Sequence, residues 1–198
     1  MVQEKNGLMT TDGSSAPKGK PVRESQVTMA RQMMPADTNP WGAVHGGVVM
    51  KMVDEAAGSA AIRHARCQVA TVAIDYMSFL HPVRVGDMIT LRASVNDVGR
   101  TSMEVGVRVE TENMLSGERH HTSSAYVVMV ALDANARPVE VQPVIPETQD
   151  EKRRMAAAKI RRSQRKLLER ALKESADELA KPPTVSAEVF AGGESEKA

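Results

Sequence analysis

Asn39, His45, Gly46, Gly47 and Asp54 stand within one short stretch of the chain. Asp54 falls inside a run of otherwise apolar residues. An unpaired carboxylate is costly to bury, so it needs a partner or a purpose. A helix surface or a cation such as Arg63 would satisfy it. The functional alternative is a general base or nucleophile in a cleft. Glu55 lies about 100° further round a helix and reaches solvent. His45-Gly46-Gly47 precedes the apolar run. Free N–H groups at a helix start attract partial negative charge, and glycine lets a ligand approach the backbone. A carbonyl oxygen becoming an oxyanion suits that place. The plainer reading is a tight turn from loop to helix. Asn39 donates to a carbonyl or orients a water. Alternatively it closes an Asx turn ahead of Pro40, and the local sequence by itself favours the turn.

The surrounding elements must position these residues. Residues 47–65 are apolar on nearly every face, rich in Ala and Met and free of Pro. That predicts a buried helix. One strand is expected before it, over 22–34, with imperfect alternation. Strands are expected after it over 69–80, 88–98, 103–109 and 120–132. Ile89, Leu91, Ala93 and Val95 share one face, as do Met103, Val105, Val107 and Val109. Pro82 with Gly86, Gly99-Arg100 and Ser116-Gly117 mark the turns between. A single antiparallel sheet with one apolar face buries that face around one helix. The expected class is α+β, a curved antiparallel sheet wrapped around a long central helix. Its edge strand invites pairing with a second copy.

Composition narrows the functions. The 198 residues give one domain with appendages, and 41% apolar content is enough for a core. Lys+Arg 26 against Asp+Glu 25 leaves a net charge of +1, which excludes a globally basic nucleic-acid binder. Aromatics at 3% argue against a stacking platform for single strands. Cys67 is the single cysteine, so an intrachain disulfide and a Cys-only metal cage are excluded, and a reducing cytoplasm suits it. The longest apolar run, 44–62, is broken by Lys51, Asp54 and Glu55, too charged to span a bilayer. The histidines form no spaced ligand set, and His120-His121 point to opposite faces of a strand, so no metal is expected. Residues 1–20 read as a disordered leader, 21–146 as the domain, 147–180 as a charged helix and 181–198 as a disordered tail.

The stretch Asn-Pro-Trp-Gly-Ala-Val-His-Gly-Gly-Val-Val-Met-Lys-Met-Val-Asp-Glu-Ala-Ala (39–57) resembles the signature of hot-dog acyl-CoA thioesterases, in the cytosolic acyl-CoA hydrolase subgroup. The resemblance continues at 71–79, 81–87 and 99–105 and covers roughly 22–145. It implies the hot-dog fold and hydrolysis of acyl-CoA to a free acid and CoA, with no cofactor beyond CoA as substrate and product. It implies a site at a dimer interface, where loop Asn39 of one protomer faces helix Asp54 of the other. Asp54 would activate water or attack the thioester, Asn39 would orient water or carbonyl, and Gly46 and Gly47 would stabilise the oxyanion. His45 would shape the pocket rather than act as base. Arg100, Thr101 and Ser102 match a block near the CoA moiety in similar proteins. Arg63 and His64 at the helix end are further candidates for its phosphates, each also readable as a solvated surface residue. A homodimer at least, assembled as a trimer of dimers into a hexamer, is the expected state.

Residues 152–166 contain no acid. The first reading is a helix packed on the domain or its neighbour, with Met155 and Ala158 in a partial apolar stripe. The sharper one is contact with CoA phosphates of a neighbouring protomer. An anionic partner is the third, against which the near-zero net charge and few aromatics weigh. The run also motivates the competing function, a non-enzymatic acyl-CoA sensor signalling through this helix.

Overall fold

The computed structural model describes residues 19–179. The expected tail and all but the last two positions of the expected leader lie outside the described residues. The elements in chain order are β1 (Lys20–Pro21), a 3-10 turn (Val22–Ser25), β2 (Val27–Gln32), a second 3-10 turn (Pro35–Asp37), α1 (Gly46–Ala65), β3 (Gln68–Phe79), β4 (Met88–Val98), β5 (Ser102–Glu112), β6 (Arg119–Leu132), β7 (Val144–Ile145) and α2 (Gln149–Leu179). Five strands make one sheet in the order β2-β4-β5-β6-β3, every neighbour antiparallel. β3 is therefore an edge strand, 12 residues long.

α1 lies against the sheet's apolar face. Val49, Met52, Val53, Ala56, Ala57, Ala60 and Ala61 are buried against Ile89, Leu91, Val95, Val105, Val109 and Val127. The alanines matter here, because small side chains let a helix approach a sheet closely along its length. α1 ends at Arg66, which adopts the left-handed conformation at φ 58° and donates its N–H to Ile62 O at 2.8 Å. The expected central helix and the strand 88–98 form as read.

The expected strand over 22–34 does not form whole. Val22–Ser25 is a 3-10 turn instead, and only Val27–Gln32 pairs with β4. Ser25 causes the break. Its buried hydroxyl donates to Val22 O at 2.7 Å and accepts from Val95 N–H at 3.0 Å, closing the turn against β4. A parallel pairing that sequence did not suggest joins β1 to β7, Lys20 against Val144. Gly19 permits it, since a Cβ there would stand 2.6 Å from Pro143 O.

The chain divides into two compact units, up to Ala158 and from Lys159. The first turns of α2 belong to the first unit, and Met155 packs on its core while Ala158 is buried. A capping box starts the helix. Thr148 Oγ1 accepts from Glu151 N–H at 3.2 Å, and Glu151 Oε2 accepts from Thr148 N–H at 3.0 Å. The rest of α2 is a continuous helix to Leu179. Among the described residues no helix is long and apolar enough to cross a membrane.

Candidate active site

His45 caps α1. Its Nδ1 accepts from Gly47 N–H at 2.9 Å and its carbonyl from Val48 N–H at 2.9 Å. The Gly47 N–H, expected to serve an oxyanion, is thus already committed. The Gly46 N–H makes no hydrogen bond among the described residues, so Gly46 is the free donor at the helix start. With Nδ1 accepting, the imidazole proton sits on Nε2. This histidine builds the helix terminus.

The loop before it is held by Asn39. The Asn39 Oδ1 accepts from the N–H groups of Trp41 at 3.0 Å and Ala43 at 3.2 Å. Gly42 turns the loop at φ 82°. The Asx turn is real, and it does not use up the side chain. Two backbone donors fix which end of the amide is oxygen, and the Nδ2 protons remain to donate outward. Asp37 anchors the loop's base. Its carboxylate accepts from Met34 N–H at 2.8 Å and Arg31 Nη2 at 2.8 Å, which hold its pKa below the usual carboxylate range, the backbone N–H most of all.

Asp54 is half-buried rather than fully enclosed, and its partner is not a cation. Thr71 on β3 donates its hydroxyl to Asp54 Oδ1 at 2.6 Å, and Oδ2 makes no hydrogen bond among the described residues. One oxygen is therefore positioned and the other is open to a reactant. Thr71 was missed by sequence reasoning as a site residue. The available signal was a hydroxyl on a strand beside a helical carboxylate, a contact made 17 positions away. Glu55 points to solvent, near Lys51 at 3.9 Å.

A single chain does not bring Asn39 to Asp54. The Asn39 loop bridges to Arg84 through Ala43 and stands with Gly46 and Phe79 at one end of the sheet. Asp54 lies eight residues beyond Gly46, about 12 Å along α1. Thr71 lies near the opposite end of β3 from Phe79; they pair with Met129 and Ser123, six positions apart on β6, so about 20 Å separates them. The two halves of the expected site thus occupy opposite ends of the same face.

The candidates for CoA phosphates divide. Arg100, Thr101 and Ser102 sit at the β4–β5 turn. Ser102 pairs with Val130, one register position from the Met129 that pairs with Thr71, so this turn belongs to the Asp54 end. Arg100 is 79% exposed and stands 3.6 Å from Glu140, a weak and screened ion pair that leaves it free to meet another anion. Arg63 is exposed near the helix C-terminus, where the dipole disfavours phosphate. His64 cannot serve. It is fully buried, its Nε2 lies 2.8 Å from Gln142 O, and burial pushes its pKa down. Among the described residues no group of three or more His, Cys, Asp or Glu is placed to hold a metal ion.

An apolar cavity of about 340 Å³ opens at the Gly46 end, between Val44, Gly46, Val49, Phe79, Leu80 and Pro82.

Comparison with known proteins gives consistent matches. The sequence model of the thioesterase superfamily matches residues 42–118. YkhA, an uncharacterized acyl-CoA thioester hydrolase of Bacillus subtilis, is 37% identical over 135 residues, 68% of this chain and 78% of that protein. The cytosolic acyl coenzyme A thioester hydrolase of Rattus norvegicus is 34% identical over 76% of this chain, which spans 40% of that longer protein. Among solved structures, an apo-hexameric acyl-CoA thioesterase superposes with a TM-score of 0.73 at 41% identity, covering 76% of this chain and 96% of that one. The acyl-CoA hydrolase of Staphylococcus aureus, solved with butyryl coenzyme A, coenzyme A and coenzyme A disulfide, gives 0.74 at 33% identity, covering 82% and 99%. Variants of the same enzyme with one Asp, one Thr or one Asn replaced by Ala also match.

Proposed function

The chain belongs to the thioesterase superfamily, with its hot-dog fold, and on that premise we propose that it hydrolyses acyl-CoA thioesters to a free acid and CoA at a site built by two subunits. The observation that carries this reading is the Asp54–Thr71 pair, one carboxylate oxygen held and the other open. The spacing supports it. In the S. aureus variants the replaced Asn and Asp stand 15 positions apart, and the Asp and Thr 17. Asn39, Asp54 and Thr71 repeat both separations.

The unpaired edge of β3 supplies the second subunit. It exposes Val72, Tyr76 and Phe79, at 63%, 55% and 52%. Antiparallel pairing of β3 with its own copy, centred on Asp75, sets Thr71 opposite Phe79 of the partner subunit. Gly46 and Asn39 of the partner subunit travel with that Phe79. Each dimer then holds two sites, and each site draws Asp54 from one chain and Asn39 from the other. Similar thioesterases solved as hexamers support assembly of such dimers into a hexamer.

In this site the thioester carbonyl accepts from Gly46 N–H, where the α1 dipole favours the developing oxyanion. The Asn39 Nδ2 donates to the carbonyl or to the attacking water. The open Oδ2 of Asp54 takes the proton of that water, which adds to the carbonyl carbon. Collapse of the tetrahedral species expels CoA thiolate, which receives a proton. Alternatively Oδ2 itself attacks the carbonyl carbon and expels CoA thiolate, giving a mixed anhydride that water then cleaves to the acid and the regenerated carboxylate. Arg100, Thr101 and Ser102 meet the CoA moiety. Water is the only co-reactant this chemistry needs. The name of the rat relative supports a cytosolic location. The acyl-CoA sensor is the less favoured reading, since a sensor has no use for a positioned carboxylate beside a free backbone donor.

Thiol release from a panel of acyl-CoAs tests the function, wild type beside Asp54→Asn. Turnover in the wild type and its loss in the variant are expected. Tight acyl-CoA binding with no turnover in the wild type would return the sensor.

A further inference from the structure

Resting on the hydrolase reading, we propose that Phe79 sets the acyl-chain length this site accepts, by forming the wall of an acyl pocket beside the oxyanion donor. Three observations place it there. A Cβ built on Gly46 would stand 3.5 Å from Phe79 Cζ and 3.6 Å from Cε1, so the ring tip lies against the first residue of α1. The same ring lines the apolar cavity of about 340 Å³ that opens at Gly46. Finally, Phe79 is the last residue of β3 and pairs with Ser123, while Leu80 N–H donates to Thr122 O at 2.8 Å. The wall is therefore fixed by strand pairing rather than carried on a loose loop.

The chemistry of the cavity selects its occupant. A thioester has two arms. The CoA arm carries amides and phosphates, and amides buried without hydrogen bonds cost several kcal/mol by transfer measures. The acyl arm is hydrocarbon. Val44, Val49, Phe79, Leu80 and Pro82 offer apolar side chains, and His81 is the polar side chain in the lining. With the carbonyl oxygen about 3 Å from Gly46 N–H, the acyl carbons next to the carbonyl meet the Phe79 ring. The cavity is at the small end of the range for ligand sites, about 300–1,000 Å³. Removing the ring lengthens it while leaving Gly46 N–H and the Asp54 carboxylate themselves unchanged, and a larger ring shortens it.

The test is kcat/KM for acetyl-, butyryl-, octanoyl- and palmitoyl-CoA with the wild type, Phe79→Ala and Phe79→Trp. One methylene in an apolar pocket changes kcat/KM by about 10-fold or more. Phe79→Ala should therefore raise the ratio of long- to short-chain activity by at least about tenfold, and Phe79→Trp should lower it. Ratios unchanged within about twofold in both variants would overturn the proposal, even if overall rates fell. Phe79→Leu keeps an apolar side chain and serves if the alanine variant does not fold; it should shift the ratio in the same direction. Failure of the underlying reading looks different: the wild type then hydrolyses none of the four thioesters.

Discussion

The Thr71 hydroxyl donates to Asp54 Oδ1 at 2.6 Å across the seam between β3 and α1, and this one bond decides which oxygen of the carboxylate is free. A hydrogen bond to a charged group is worth about 1.5–3 kcal/mol. Thr71→Val keeps the shape and removes the donor. Its kcat should fall by about 10- to 100-fold with KM little changed, because the bond positions Asp54 rather than holding substrate. Asp54→Asn should cost about 10²–10⁴-fold in kcat. Steady-state kinetics on a folded dimer check both.

Asn39 offers a way to separate turn from chemistry. Asn39→Asp retains an oxygen that accepts from Trp41 and Ala43 but has no Nδ2 to donate. Asn39→Ala loses both. Activity should fall about 10²–10³-fold in each, as when an oxyanion donor is removed. The backbone N–H groups of Trp41 and Ala43 both donate to Asn39, so their hydrogen exchange reports the loop. Exchange should quicken in Asn39→Ala and stay near wild type in Asn39→Asp.

The two-subunit site predicts complementation. Asn39→Asp and Asp54→Asn are each inactive alone. A mixed dimer has one site with both native residues and one with neither. Random reassembly of equal amounts should restore about a quarter of wild-type activity, half the dimers being mixed and each with one working site of two. No recovery on mixing would place both residues in one chain's site.

Single turnover in heavy-oxygen water tests direct attack by Asp54. Hydrolysis of the mixed anhydride at the Asp54 carboxyl carbon leaves the label in Asp54, whereas hydrolysis at the acyl carbon leaves it in the acid. In the general-base route the label enters the acid alone. Label found in Asp54 by mass spectrometry would identify the nucleophilic route.

His64 predicts an acid weakness. Burial holds its folded pKa below the ordinary value of about 6.5. Between the two values the unfolded chain binds a proton that the folded chain does not. Stability is therefore fully present above about pH 6.5 and declines as pH falls toward the lower folded value. His64→Gln should flatten that decline, read from urea midpoints across pH.

The parts legible in sequence were those governed by local pattern. Alternation in Ile89, Leu91, Ala93 and Val95 delivered β4, and the all-round apolar run delivered α1. Asp54 stood out because a carboxylate is foreign to such a run. What stayed hidden depended on contacts far along the chain. Thr71 looks like any strand threonine until the fold sets it beside Asp54. His64 read as either a phosphate ligand or a solvated surface residue, because nothing local shows Gln142 closing over it. Ser25 broke a strand through a bond to Val95, 70 positions away. His45 carried the subtler lesson, since its own capping bond removes Gly47 from the donors and leaves Gly46.

The β1–β7 pairing has a mechanical consequence. The two strands run parallel, so the chain enters at the start of one and leaves at the end of the other toward α2. Tension between a segment ahead of Lys20 and the helix beyond Ile145 pulls this pair lengthwise. In that direction the Lys20 N–H to Pro143 O bond and its neighbours share the load and yield together instead of peeling one by one. The Lys20 ammonium, bonded to His64 O at 2.6 Å, ties the same point to the end of α1. A tug on either flank is thus resisted where β1, β7 and the end of α1 are joined.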